Sequence, residues 1–435
     1  MLFLRELKKV IFSISYVLFV IVTIAALYSQ DALNFGGSKM DRPQPGGNYG
    51  TTQKEIPEII MPAALKSLWG EFCENNYKTY PVGFIKNVKL NDREQREMAG
   101  ILSEITGVDI ETLMEAGAEM PGTGNNEFVI GADGNMQMVQ SPDRQELTLT
   151  VRSDMDYSEF RDLMQQADDI LGGGSDYSAK SLTGFGAVPV SYEEAVQRYD
   201  LCLSRDKITG GYARLFSDYA TAMVMSILPV FPAVLMCMKD RRAKMAEMIY
   251  TRKVSAAKVI VSRYLAVITA VMIPVVILSL VSNSSVWGMY GGAELDYLAP
   301  VKYDLGWILP SVMMAAALGM CLTELTNTPI AVAVQGFWWL MDVNAGIQSV
   351  SDSYALFRLA PRHNAGEMSC FRTQDYIDNF QRLVMNRLMF AGLALILVLI
   401  TIVIYEANRK GKLNGNFKFK KALSDLGSRK NKSEA

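Results

Sequence analysis

Residues 10–28 carry no charged side chain. A run of that length matches the ~20 apolar residues a helix needs to cross the ~30 Å hydrocarbon core of a bilayer. Apolar runs recur at residues 216–238, where Asp218 is the one charge, and at 264–281, 305–322 and 388–405, with a shorter run at 330–341. A polar block separates the first run from the rest. Whole-chain averages, 50% hydrophobic and 20% charged over 435 residues, conceal this segregation. The expected fold class is a multi-span α-helical membrane protein with one sizeable soluble domain between spans 1 and 2. Arg5, Lys8 and Lys9 precede the first run, which also describes a secretory signal. Leu27 and Tyr28, however, crowd the place where a signal peptide would present small residues for cleavage. The run therefore reads as an uncleaved anchor, with residues 1–30 forming a cytoplasmic end plus span 1.

Residues 31–54 are rich in Gly, Pro, Asn and Thr and read as a flexible stalk. Residues 55–210 form the expected extracytoplasmic α+β domain. Helices are expected at 65–77, at 91–106 with Asn91 as cap, at 109–120, and at 157–171 with Asp156 as cap and Gly172, Gly173 and Gly174 as its end. A last helix starts near Ser191, with Glu194 completing a capping box. Strands are expected at 128–130, 136–139 and 147–151, the first two joined by a hairpin loop at 131–135. Residues 31–207 hold 29 acidic and 16 basic side chains, while the whole chain has a net charge of −2. The remainder is thus strongly basic, as cytoplasmic loops are. The overall balance gives no ground for a nucleic-acid partner.

Span 2 covers 211–238, where Pro229 and Pro232 are expected to kink it. Spans 3–6 fall within 264–408. The turn 323–328 is tight, and Pro329 suits the first turn of the next helix. Residues 343–386 hold no span, yet the chain must return to the final one, so this segment lies outside. Arg358, Arg362, Arg372, Arg382 and Arg387 lie in it or at its edge and strain the charge rule there. The tail, 409–435, is basic, as expected inside, and is able to touch anionic lipid. Six spans in the plasma membrane with both termini cytoplasmic follow.

The stretch between spans 2 and 3, residues 239–263 with their flanks, holds eight Lys and Arg. Met245, Met248 and Ile249 fall at helical spacing among Lys244, Glu247 and Arg252, as in a short amphipathic helix on the membrane face. A solvated basic loop that only fixes topology is the plainer alternative. The order of residues resembles the segment joining the second and third helices of ABC-2 type permeases. Asp240 follows the helix; Glu247 precedes Met248-Ile249-Tyr250; Val254-Ser255 ends a turn. Lys258-Val259-Ile260 then leads to Arg263-Tyr264-Leu265. The chain departs from the family at Lys244-Met245, where Gly-Thr is common, and at Lys253, where Pro is common. The resemblance covers the spans and not the polar domain. It implies an ABC-2 permease-like bundle of six transmembrane helices, in which this stretch is the coupling helix docking on an ABC ATPase subunit through Asp240, Met245, Glu247, Met248, Ile249 and Arg252. It implies an exporter, and a second permease subunit, identical or not, lining the path. ATP and Mg would sit on the ATPase, leaving no cofactor on this chain. Family members also carry re-entrant or surface-lying segments after a short fifth helix, for which 354–358 and 371–383 are candidates.

Sites for chemistry are scarce. With His363 alone, no HExxH or multi-histidine site can form. No G-x-x-x-x-G-K-[ST] occurs, so the chain is not itself the ATPase, and no enzyme activity is expected of it. Asp218 and Glu324 lie near span ends, where snorkelling accounts for them. Cys73 and Cys202 are the pair able to bridge within the polar domain. The rival function is a multi-span membrane-anchored sensor or binding protein acting through its extracytoplasmic domain.

Overall fold

The computed structural model describes residues 2–36, 39–81, 85–119, 128–130, 136–138, 149–242, 253–344, 353–361 and 372–411. The chain divides into two compact units. One comprises Met1–Gln44, Glu193–Val343 and the chain from Val350 on; the other is chiefly Pro45–Tyr192.

The first unit begins with α1 (Leu2–Ile11) and α2 (Ile14–Tyr28), bent 62° from one another. No Pro or Gly causes the break. Ser13 turns extended, and its hydroxyl accepts from Tyr16 N, capping α2. The single anchor expected at 10–28 is therefore two helices, because the serine offers the backbone a local alternative to helix. The stretch read as a stalk also differs over its first part. Ala32, Phe35 and Met40 are buried in the helical core. Met40 N donates to Tyr290 Oη at 2.6 Å, and Ser282 Oγ donates to Ala32 O at 2.6 Å. A few apolar side chains suffice to order this glycine-rich stretch against a helix.

The second unit opens with β1 (Thr51–Gln53) and α3 (Pro57–Glu74), then β2 (Tyr77–Thr79), β3 (Lys86–Val88), α4 (Asp92–Thr106) and α5 (Ile110–Glu119). β4 (Phe128–Ile130), β5 (Met136–Met138), α6 (Tyr157–Ile170) and β6 (Ala187–Pro189) complete it. Its strands pair two by two and antiparallel: β1 with β6, β2 with β3, and β4 with β5 in the expected hairpin. Its core is Ile60, Leu65, Leu68, Phe72, Leu102, Phe160 and their neighbours. Asn91 forms a full capping box with Glu94. Asp156 accepts from Ser158 N, and Gly172, Gly173 and Gly174 all take positive φ after α6. α3 starts before the expected residue 65, because Pro57 at its first turn needs no amide donor. Residues 149–151 are not a strand.

The first unit resumes with α7 (Tyr192–Ser204), α8 (Thr209–Ala220), a π-turn at Thr221–Met225, and α9 (Val230–Arg242). Residues 193–210, expected in the polar domain, belong to the helical unit because Cys202 is buried in its core with Tyr199 and Leu203 packed alongside. Four helices follow: α10 (Ala256–Met289), α11 (Ala299–Thr326, with a π-turn at Asp304–Ile308), α12 (Ile330–Asn344) and α13 (Thr373–Arg409). α10, α11 and α13 are long and apolar enough to cross a membrane, and the α1–α2 and α8–α9 pairs raise the count to five if each is one bent span. α8 and α9 are bent by 43° across the break before Val230, where Pro229 lies. α13 runs unbroken from Thr373, so the described part of 371–383 is the start of the last helix and not a separate surface helix. At Gly319, α11 closes on α9: a Cβ there would lie 3.0 Å from that of Ala233. Small residues permit such approach between helices in a membrane. Cys73 and Cys202 are not bridged to each other.

Candidate functional site

Asp240 lies in the last turns of α9. Met245, Glu247, Met248, Ile249 and Arg252 lie outside the described residues, as does His363. The exit of the stretch is described. Ser255 is extended and caps α10 by accepting from Lys258 N. Immediately before it, Val254 O accepts from Arg409 Nη1 at 2.8 Å, so the end of α13 grips the point where the stretch enters α10. Two turns into α10, Arg263 is buried beside Glu6 of α1 at 3.7 Å, and Glu6 also accepts from Lys9 at 2.7 Å. Asn408 donates to Glu324 O at 2.9 Å, which joins α13 to the end of α11. The start of α10, the ends of α11 and α13, and α1 thus meet around one joint.

A second polar assembly surrounds the returning segment 353–361. Leu359 N and Ala360 N donate to the two carboxylate oxygens of Asp342, at 2.9 and 3.0 Å. Arg358 donates to Asp342 O at 2.6 Å. Asn386 at the other side donates to Ala355 O, Leu356 O and Arg358 O. Arg387 reaches Trp307 O at 3.0 Å and Ser311 Oγ at 2.8 Å, and also bonds Leu359 O. Trp307 Nε1 donates to Pro361 O at 3.2 Å. Buried backbone groups of an irregular segment need partners within the protein, and Asp342, Asn386 and Arg387 supply them here. Arg358 and Arg387, which strained the charge rule as loop bases, are buried and bonded to carbonyls. The signal was in the sequence: an acid closing a short apolar run and an Arg opening a long one.

Beside this assembly, Arg214 of α8 is fully buried and makes a two-pronged bond to Asp206, at 2.7 and 3.2 Å. Thr373 Oγ1 donates to the same carboxylate at 2.7 Å, and the Tyr376 ring lies 4.6 Å from the guanidinium. The pair went unnoticed in the sequence, where Asp206 falls in the 55–210 polar domain and Arg214 at the start of span 2, 211–238. Just outside it, a bond to Glu294 raises the Lys207 ammonium above its usual range. Among the described residues no group of three or more His, Cys, Asp or Glu could hold a metal. No family model, curated protein or solved structure matches the chain.

Proposed function

We propose that this chain is the membrane-spanning permease subunit of an ABC transporter of the ABC-2 type, working as an exporter. In this reading six helices cross the plasma membrane, both termini are cytoplasmic, and the Pro45–Tyr192 unit is extracytoplasmic. The span added to the five candidates is α12, fifth in chain order. At 15 residues it rises about 22 Å, short of the membrane core, and its end is bonded through Asp342 to segment 353–361, which fills the remaining depth. A separate ATPase carries ATP and Mg. Two permease subunits, identical or not, line the path within membrane lipid.

The observation that supports the reading most is the joint at Val254. The stretch resembling a coupling helix leaves directly into a point held by Arg409, with the Arg263–Glu6 pair a short way along α10. A push on residues 240–252 would reach α10, α13 and α1 together, as coupling requires. The rival reading, an anchored sensor, draws on the separate core of the Pro45–Tyr192 unit but gives no role to this joint.

The test is co-purification of an ATPase with the tagged chain, together with transport-stimulated hydrolysis. Central docking residues are each worth about 1–3 kcal/mol. Glu247→Arg and Met248→Asp are expected to cut association at least about fivefold while the chain stays in the membrane; Lys412→Ala changes little, since a solvated charge contributes ~0–1 kcal/mol. Undiminished association and turnover in both coupling variants would return the stretch to a basic topology loop.

A further inference from the structure

The helical unit holds a set of buried oxygens that neither polar assembly uses. Asp304 opens the π-turn of α11; it is wholly buried, and among the described residues no cation pairs with its carboxylate. α10 packs on this turn and brings the Ser279 hydroxyl beside the carboxyl. One turn further along α10, Asn283 commits its amide nitrogen to Ser279 O at 3.0 Å, leaving its Oδ1 unbonded. α8 and the Thr221–Met225 π-turn pack on the same turn and carry two more buried, unbonded hydroxyls, Ser217 and Thr221. Two π-turns abut here, and such turns gather at functional sites.

The set has hydroxyl donors but no cation. Carboxylate oxygens and an amide oxygen can only accept, and a buried charge without an opposite charge beside it is unfavourable. Charged groups on the neighbouring helices do not repair this. On α8, Arg214 is held by Asp206, and Asp218 has the same sign as Asp304. On α11, Lys302 pairs with Asp296, Tyr303 meets Arg214, and Glu324 and Cys321 lie toward the far end. On α10, Lys258 and Arg263 lie at least 16 residues from Ser279, about 24 Å along the axis. Tyr212, Tyr219, Tyr264 and Tyr290 bring phenols rather than cations, and the Thr221–Met225 turn has no ionisable side chain.

We propose that Asp304 is a proton-binding site inside the membrane bundle, with Ser279 and Asn283 as positioning residues. The exchange is with water: a hydronium ion gives up its proton, an O–H bond forms on an Asp304 carboxylate oxygen, and release reverses both. One proton removes the buried charge and turns an acceptor into a donor. The site is placed to act outward. Trp307, three residues on, holds Pro361 O through its indole and accepts from Arg387 through its carbonyl. Ionising Asp304 would press charge into the turn that anchors segment 353–361.

The test needs no ATPase, so it stands apart from the transport reading. The purified full chain in lipid nanodiscs is followed by infrared spectroscopy from about pH 5 to about pH 9. Wild type is expected to show a protonated-carboxyl C=O band at neutral pH that Asp304→Asn lacks. Ser279→Ala is expected to keep the band at a shifted frequency, a readout that remains if Asp304→Asn does not fold. Identical wild-type and Asp304→Asn spectra, or a Ser279→Ala band that does not move, would overturn the proposal. So would a band that appears at neutral pH only when sodium is replaced by choline, which would make the occupant a metal cation.

Discussion

The two units use polar side chains in opposite ways. In the Pro45–Tyr192 unit many bonds are local and exposed, Asn91 to the amides two and three residues on, Asp156 to Ser158, Arg93 to Glu97, with Tyr177 to Glu71 a distant exception. In the helical unit they are distant and dry: Arg387 to Trp307, Gln335 to Ser226 O, Arg214 to Asp206 and Thr373. Water satisfies whatever a soluble unit leaves over, so its polar groups need only stop helices and turn the chain. Inside an apolar bundle the backbone groups must be satisfied within the protein, and a polar side chain that does so marks which segments are neighbours.

The sharpest way to break this contrast is the Arg214–Asp206 pair. Removing one partner of a buried pair strands the other charge and costs about 3–5 kcal/mol, while replacing both with apolar residues is often neutral. Arg214→Met is expected to destabilise the full chain by about that amount in detergent-induced unfolding, and Arg214→Met with Asp206→Leu to recover most of it. A single variant costing under about 1 kcal/mol would mean that water reaches the pair, and the contrast would fail there.

What could be read in the sequence follows the same division. Asn91 and Glu94, Asp156, the β4–β5 hairpin and the break near Pro229 are local signals, and local chemistry decides them. The apolar runs located α10, α11 and the second half of α13, because span length is a property of the chain alone. The start of α13 was not legible. Thr373 to Asn386 is polar, and what keeps it helical against the bundle is the distant set Asp206, Trp307, Ala355 and Leu356. Residues 32–40 misled for a related reason: composition registered the glycines, while ordering rests on Phe35 and Met40 meeting Tyr212 and Tyr290. At the joint, Val254 and Ser255 were legible as the end of a turn, but Arg409, 155 residues away, read only as part of a basic tail.

A middle-sized effect sharpens the soluble side. Asn91→Ala removes the acceptor for Arg93 N and Glu94 N and should cost about 1 kcal/mol. Because the loss is local, hydrogen exchange is expected to quicken at the first turn of α4, with the protection of α10 and α13 unchanged. Equal quickening in both units would show that they unfold as one and that the locality of the cap carries no meaning.

The smallest effect concerns Glu71, a semi-buried acid in the otherwise wet unit. Burial raises it above its ordinary value of 4.5, against the lowering influence of its bond from Tyr177 at 2.8 Å. A raised native value means that the folded unit binds more protons than the unfolded chain above pH 4.5. Stability from this group is then full below that pH and is lost as pH rises through the native value. One group contributes at most about 1.4 kcal/mol per pH unit, and a partial shift gives only part of that. Asp109 and Asp156 work the other way, lowered by their bonds to Thr112 and Ser158. The difference between wild type and Glu71→Gln cancels them. That difference in unfolding midpoint should move in favour of the variant as pH is raised through the weakly acidic range; a flat difference would mean that Glu71 is as well hydrated as its neighbours and belongs with the wet, local set.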